Sequence, residues 1–137
     1  MDMSEIPAPK KRILYLAAQV NQKSMNDLTK AIVDVNQHDR HLEKLYRIYD
    51  LDYKPQPIQI YIDSYGGAVY QCMGLLGVMD KSVTPVHTIV TGAAMSCGFM
   101  ILICGHKRFG YSLSTPLYHQ VSTGFHGKVK DMEESLQ

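Results

Sequence analysis

The feature that most constrains this chain is a pattern that occurs twice: a strand, a glycine-bearing turn, and then an apolar helix. In the first copy, an alternating strand over 58–62 is followed by Gly66-Gly67 and a helix over 69–79. In the second copy, a strand over 86–90 leads through a short junction to 99–104, which is apolar on every side and predicts a buried helix. Strands that alternate with helices predict parallel strands in an α/β domain.

The segments before this pattern fit the same alternation. A strand is predicted over 12–20. Ser24 followed by Asp27 is a capping-box signal, and apolar residues recur at helical spacing after it as far as Val35. A second helical patch follows and ends at 54–57, because its prolines push the preceding residues out of the helical region.

The signals after the second junction are shorter. Strand-like segments are predicted over 108–113 and 117–121, and the polar segment 128–137 predicts the start of a helix. A chain of 137 residues is enough for a single hydrophobic core, so we expect one domain.

Composition excludes several classes of function. Apolar residues make up 45% and charged residues 20% of the chain, as is typical of a folded globular protein. A net charge of +1 provides no overall field that would attract nucleic acid or an anionic membrane, so we predict neither as a partner. No apolar run has the length needed to span a bilayer.

The cysteines and histidines show no metal-binding spacing. The three cysteines cannot pair completely, and none lies in a CxxC or Cys/His ligand pattern. Unpaired cysteines fit a reducing compartment, so we predict a cytoplasmic protein. The six histidines are scattered along the chain, and we predict no metal site.

Ser96 and the Gly66-Gly67 turn are the candidates for chemistry, because each directly precedes a predicted helix. Backbone N–H groups at a helix N-terminus lack intrahelical partners and carry partial positive charge. A serine there can act as a nucleophile whose oxyanion is met by backbone donors. Each of these residues also has a plain structural interpretation: Ser96 as a helix N-cap and the glycines as a turn. His119, which lies in an apolar segment, has one as a core histidine. Since neither a GxSxG elbow nor a phosphate loop is present, the residues alone do not decide between the catalytic and the structural interpretation.

Several segments together resemble the Clp-type serine peptidases. The segment 60–67 (IYIDSYGG) is similar to a strand and turn that in this family usually ends Asn-Ser-Pro-Gly-Gly. The segment 92–98 (GAAMSCG) is similar to the nucleophile segment, usually Gly-x-Ala-Ala-Ser-Met, and 105–109 resembles the stretch that follows it. The segment 117–120 (LYHQ) is similar to the histidine segment, which usually ends Ile-His-Gln-Pro. The blocks occur in the family's order and cover about residues 12–137.

The resemblance implies a fold and its boundaries. The expected fold is the ClpP/crotonase-like α/β fold of repeated β-β-α units, as a single domain. It divides the chain into a flexible N-terminus (1–11), a head domain (12–127) and the start of the family's handle helix (128–137). The remainder of the handle and the aspartate region beyond it are expected to be missing from this chain.

The resemblance also assigns roles to residues. Ser96 is expected to be the nucleophile and His119 its general base, and the backbone N–H groups of Gly67 and Cys97 are expected to form the oxyanion hole. Cys97 replaces a methionine, which should matter little because the donor is main-chain. The third triad member, an aspartate beyond the handle in the family, is expected to be missing from this chain, and a missing third member would lower turnover by a factor of order 10⁴ in the general triad template.

The Gly66-Gly67 turn departs from the family's usual sequence at two positions. Tyr65 stands where proline is usual, and Asp63 stands where asparagine is usual. We predict that Asp63 is an Asx residue that stabilises the turn, rather than the third triad member.

The implied activity is a serine endopeptidase that hydrolyses unfolded polypeptides and needs no cofactor. By the same resemblance the protein is expected to form a homo-oligomeric, heptameric ring, stacked in pairs, to which an ATP-driven unfoldase of the Clp type feeds substrate. Two alternatives remain open. The first is a catalytically impaired homologue or fragment that serves as a structural ring subunit. The second is a crotonase-type acyl-CoA enzyme, which shares the fold but would need an acidic residue at the site instead of a Ser/His pair.

Overall fold

The computed structural model of the chain describes residues 7–117. The strand order is β1-β2-β3-β4, with β5 also paired to β3, and every pair is parallel. The predicted α/β class with a parallel sheet is therefore confirmed. In chain order the elements are β1 (Ile13–Leu16), α1 (Gln22–Ile48), β2 (Ile58–Ser64), α2 (Val69–Lys81), β3 (Val86–Met95), α3 (Cys97–Ile103), β4 (Lys107–Gly110) and β5 (Thr115–Leu117).

β3 is the central strand and is longer than the sequence predicted. It continues beyond the predicted 86–90 as far as Met95, so most of the predicted junction is strand. Its first half pairs with β4, and its last residues, from Ala93 onward, pair with β5. Because β3 runs straight into α3, only Ser96 lies between a parallel strand and a helix.

The described helices cover one face of the sheet. Leu14, Ile60 and Val90 belong to an alternating set of strand residues that shares one hydrophobic cluster with the apolar residues of α1, α2 and α3. Alternation along a strand places the intervening side chains on the other face. There, Tyr15 is 64% exposed and Phe109 is 51% exposed. Within residues 7–117, that second face has no helical layer over it.

α1 differs from its prediction at its start and in its length. The N-cap is Asn21, whose side chain accepts a hydrogen bond from the Ser24 backbone N–H, while the Ser24 hydroxyl accepts from the Asn21 N–H. The prediction of a capping box at Ser24 and Asp27 was therefore wrong, because Ser24 occupies the third helical position of the box. The two predicted helical patches form one continuous helix of 27 residues.

A partly buried ion pair connects α1 to the amino-terminal ends of the strands. Asp39 of α1 accepts hydrogen bonds from Arg12 at 2.5 and 2.9 Å, from Tyr53 at 2.7 Å and from Thr84 at 2.5 Å. Burial alone would raise the pKa of Asp39, but these donors together hold it below its ordinary value. Burial, together with the hydrogen bond to Asp39, raises the pKa of Tyr53 to about 12. Asp39 is thus a fully partnered buried carboxylate.

Several predicted strand limits also change. β1 ends at Leu16, so it is shorter than the strand predicted over 12–20. Val20 pairs with the sheet only through a single bridge to Gly67. The strand predicted over 108–113 is shorter as well, since β4 ends at Gly110. The helix predicted over 128–137 and most of the strand predicted over 117–121 lie outside the described residues. None of the helices described here combines the length and the apolar character that a bilayer crossing requires.

Candidate active site

Ser96 occupies a strained position between β3 and α3. Its backbone has φ 53° and ψ −119°, a conformation that residues with a Cβ rarely adopt. Holding a non-glycine residue there costs about 1–3 kcal/mol, and such residues cluster at functional sites. The geometry is that of a sharp strand-to-helix turn at the end of the sheet, and Ser96 is half-buried there. As an N-cap, Ser96 makes no hydrogen bond from its side chain to the helix.

The neighbouring backbone holds Ser96 in place from both sides. The Met100 N–H donates to the Ser96 carbonyl oxygen at 3.1 Å, which starts α3. The Ser96 N–H donates to the Leu117 carbonyl oxygen of β5 at 3.3 Å. Gly98 allows close packing in the first turn of α3, because a Cβ there would lie 3.1 Å from the Ser64 carbonyl oxygen. The junction is therefore clamped between β2, β5 and its own helix.

The Gly66-Gly67 turn packs directly against this junction. Both glycines have positive φ, 104° and 152°. A Cβ on Gly66 would lie 2.9 Å from Ser96 Cβ and 2.8 Å from the Met95 carbonyl oxygen. A Cβ on Gly67 would collide with the backbone of Val20. Only glycine fits at these two positions, and the close approach brings the turn against the serine.

Within residues 7–117, two backbone N–H groups at this junction are candidates for donors to a substrate. The bridge between Val20 and Gly67 uses the Val20 N–H, which donates to Gly66, and the Ala68 N–H, which donates to Val20, each at 2.8 Å. The Gly67 N–H therefore faces away from Val20. The Cys97 N–H is the first of α3 and has no intrahelical acceptor. These are the two N–H groups that the resemblance assigned to an oxyanion hole.

Two buried thiols brace the same backbone, a feature that the sequence analysis missed. The Cys97 thiol donates to the Gly67 carbonyl oxygen at 3.3 Å, and the Cys72 thiol of α2 donates to the Cys97 carbonyl oxygen at 3.7 Å. Both side chains are fully buried. Burial is the main cause that raises the pKa of Cys72 to about 12, so this thiol stays protonated and is not a nucleophile. All three cysteines of the chain are free.

Asp63 does not act as the predicted Asx residue. Its Oδ1 accepts a hydrogen bond from the Ala93 N–H of β3 at 2.9 Å, across the place where the pairing of β2 and β3 shifts register. The turn itself is held by Ser64, whose hydroxyl accepts from the Gly66 N–H at 3.1 Å. The prediction was wrong about the partner because the register shift brings the Ala93 backbone to the carboxylate. The signal for Ser64, a serine two residues before a glycine, was available in the sequence.

A groove of about 440 Å³ lies beside the turn, over the carboxyl ends of β1 and β2. Open α/β sheets bind their ligands at this end of the strands. Its lining residues are the three that follow β1, the last two of β2 and those of the turn: Ala17, Ala18, Gln19, Asp63, Ser64, Tyr65, Gly66 and Gly67. The wall of the groove therefore includes Gly66, which packs on Ser96, and Gly67, which packs on Val20.

The structure brings Ser96, Gly67 and Cys97 together, whereas His119 lies outside the described residues. The last described residue, Leu117, is the one whose carbonyl oxygen binds the Ser96 N–H. Within residues 7–117, no group of histidine, cysteine and acidic side chains could hold a metal ion. The site as described therefore offers a serine hydroxyl and backbone donors.

The chain belongs to the Clp protease family, a family of serine peptidases. The model of this family, described as Clp protease, matches residues 6–137. Among curated proteins, the ATP-dependent Clp protease proteolytic subunit of Deinococcus radiodurans is 30% identical over 126 residues, which is 90% of this chain and 55% of the relative. The chain thus spans about half the length of this relative.

Proposed function

We propose that this protein is a serine endopeptidase subunit with Ser96 as its nucleophile. The observation that carries the proposal is the strained backbone of Ser96, at φ 53°, between a parallel strand and a helix N-terminus. Strain of this kind costs free energy, and a nucleophile whose side chain must be exposed gives a reason for keeping it. Membership of the Clp protease family supports the same role.

In the proposed reaction, the Ser96 hydroxyl oxygen attacks the carbonyl carbon of a peptide bond while His119 accepts its proton. The N–H groups of Gly67 and Cys97 stabilise the negative charge that develops on the carbonyl oxygen. The tetrahedral intermediate then expels the amine, which takes the proton from His119, and leaves an acyl group on Ser96. Water, deprotonated by His119, releases the acid and restores the serine. No cofactor takes part.

His119 is proposed as the base because of its place in the sequence. It follows Leu117 by two residues, and Leu117 accepts a hydrogen bond from the Ser96 N–H. Two residues of extended chain span at most about 7 Å, so the covalent chain limits how far His119 can lie from the junction. Within the described residues we assign no third member of a triad, because the Asp63 carboxylate is bonded to Ala93.

We further propose that the protein works in the cytoplasm as a subunit of a heptameric ring, stacked in pairs, and receives unfolded polypeptides from an ATP-driven unfoldase of the Clp type. The name of the Deinococcus relative, which describes a subunit and an ATP-dependent protease, supports this assembly. The free cysteines are consistent with a reducing compartment.

Labelling with a fluorophosphonate probe tests the proposed nucleophile. We expect the probe to form a covalent adduct at Ser96, located by peptide mass spectrometry. Ser96→Ala should abolish the adduct, and His119→Ala should slow it, since the hydroxyl then lacks its base. Ser112→Ala, at an exposed serine outside the junction, is the matched control and should label at the wild-type rate. A folded protein that shows no adduct would instead favour a structural ring subunit.

A further inference from the structure

The groove beside the candidate site carries a charge that the reaction itself does not need. Among the described residues that line it, Asp63 is the only charged one, so it places a negative charge in that wall. One oxygen, Oδ1, accepts the hydrogen bond from Ala93, and the side chain is exposed to solvent. Within residues 7–117 the second oxygen, Oδ2, has no hydrogen-bond partner. A carboxylate held by one oxygen and open at the other is ready to accept a cation.

Tyr65 adds an aromatic surface to the same groove. Asp63 is the next-to-last residue of β2 and Tyr65 directly follows the strand, and both residues line the groove. The Tyr65 side chain is 79% exposed, although an aromatic ring normally lies against other protein groups. The hydrogen bond from the Gly66 N–H to the Ser64 hydroxyl holds the backbone on either side of Tyr65. An exposed ring beside a carboxylate is the pairing that holds an ammonium or guanidinium group.

We propose that this groove is a subsite for a lysine or arginine side chain of the polypeptide substrate, with Asp63 and Tyr65 as the residues that determine the preference. The inference rests on the proposed peptidase function. Gly66 both lines the groove and packs against Ser96, and we therefore assign the groove to a side chain of the same peptide that is cleaved at Ser96. Gly66 packs against Ser96 and Gly67 is bridged to Val20, so these contacts fix the turn between groove and serine.

The size of the preference follows from the exposure of the two groups. An exposed ion pair and an exposed cation–π contact are each weak, and together they correspond to about a three- to tenfold difference in affinity. Because the carboxylate is open to solvent, the preference should shrink as ionic strength rises and the Debye length shortens.

Binding to the Ser96→Ala chain tests the subsite without requiring catalysis. The probes are fluorescent peptides of one sequence, in which a single lysine replaces norleucine at each position in turn, and the readout is fluorescence anisotropy. We expect one position at which lysine improves binding about three- to tenfold at low salt. Asp63→Asn should remove this gain, because asparagine keeps the acceptor for Ala93 but has no charge. Tyr65→Leu should reduce it, and Asp80→Asn, on α2, should leave it unchanged.

The outcomes separate this inference from the proposed function. Equal binding of all lysine and norleucine peptides, or a gain that survives Asp63→Asn, would overturn the subsite even if the fluorophosphonate labels Ser96. A lysine preference without labelling of Ser96 would support the lysine-binding subsite and contradict the proposed peptidase function. If Asp63→Asn changes the oligomeric state while no peptide shows a preference, a second copy of the chain fills the groove, and the inference also fails.

Discussion

The conformation of Ser96 should be measurable as a cost to stability. At φ 53° and ψ −119° a Cβ is strained, whereas glycine adopts this conformation freely. Ser96→Gly should therefore be more stable than Ser96→Ala by about 1 kcal/mol, since the alanine variant keeps the strain and both lack the hydroxyl. Urea unfolding of the two variants, followed by circular dichroism, measures this difference.

The comparison between the two variants removes the contribution of the hydroxyl group. If Ser96→Ala proves to be as stable as Ser96→Gly or more stable, the backbone at this residue is not strained, and the main support for a serine nucleophile is lost. Both variants should fail to react with the fluorophosphonate probe.

At the residue scale, the sequence indicated where the candidate site would lie but not how it is held. Ser96 and Gly66-Gly67 were found because a strand, a glycine and an apolar helix follow one another locally. The contacts of Asp63 and Cys97 were not predictable in this way. Asp63 bonds to Ala93 only because the strand pairing shifts register, and Cys97 reaches the carbonyl of Gly67. Each of these partners is 30 residues away in sequence.

At the scale of the elements, the contact between the glycine turn and the start of α3 should control reactivity. Gly66→Ala places a Cβ 2.9 Å from that of Ser96 and 3.2 Å from the Cys97 nitrogen, so the turn must move away. We expect the rate of fluorophosphonate labelling to fall at least about tenfold, because the complete loss of one oxyanion donor has a larger effect than this. Gly77→Ala is the matched control, because a Cβ there meets nothing within 4 Å.

The control also has an expected effect of its own. Gly77 lies inside α2, where alanine is favoured over glycine by roughly 0.5–1 kcal/mol, so this variant should be slightly more stable and label normally. Labelling of Gly66→Ala at the wild-type rate would show that the turn does not shape the site.

The ion pair between α1 and the sheet should make stability depend on pH. The folded pKa of Asp39 is lower than its unfolded value of about 3.9. The unfolded chain therefore binds more protons in that range, and stability rises with pH there. The stabilisation is fully present above about pH 4 and is lost as the pH falls through the folded pKa.

Asp39→Asn tests this dependence. At neutral pH the variant should lose about 3 kcal/mol of unfolding free energy, because Arg12 loses its buried partner. The difference from wild type should shrink as the pH falls below about 4, as measured by urea unfolding across a pH series. Asp27→Asn, which removes an exposed pair with Lys23, should change stability by less than about 1 kcal/mol. A constant difference at every pH would exclude a charged Asp39.

The long-range hydrogen bonds of α1 show which parts of the fold could be predicted from the sequence. Helices and strands whose apolar residues recur at regular spacing were predicted, because that pattern is local. The continuity of α1 was not predicted, since the polar residues Asn36 and Asp39 lie between its two apolar patches. Both side chains can be buried because they are hydrogen-bonded, Asn36 to Ser82 and Asp39 to Arg12 and Thr84. These partners lie far away in the chain, so a local pattern could not predict them.

At the scale of the whole molecule, the main exposed surface within residues 7–117 is the face of the sheet that no helix covers. Parallel sheets are normally covered on both faces, yet within residues 7–117 the helices cover only one. The register aligns Tyr15, Tyr61, Ile89 and Phe109 in one row across β1 to β4. Tyr15 and Tyr61 stack with ring centroids 5.6 Å apart. The row is exposed at its two ends, Tyr15 and Phe109, while Ile89 between them is only 7% exposed. Exposed apolar patches of this kind mark interfaces.

We therefore predict that the protein self-associates and that this row contributes to the contact. Light scattering over a range of concentrations should show a mass above that of one chain, 15.5 kDa. Replacing both Tyr15 and Phe109 by lysine should shift the distribution towards the monomer, because charges on an apolar interface must be desolvated without a partner. Met73→Lys, at an exposed position of α2 on the opposite side of the sheet, should leave the mass unchanged. A wild-type protein that stays monomeric at high concentration would contradict self-association. An assembly that survives the double lysine variant would show instead that its subunits meet through a different surface.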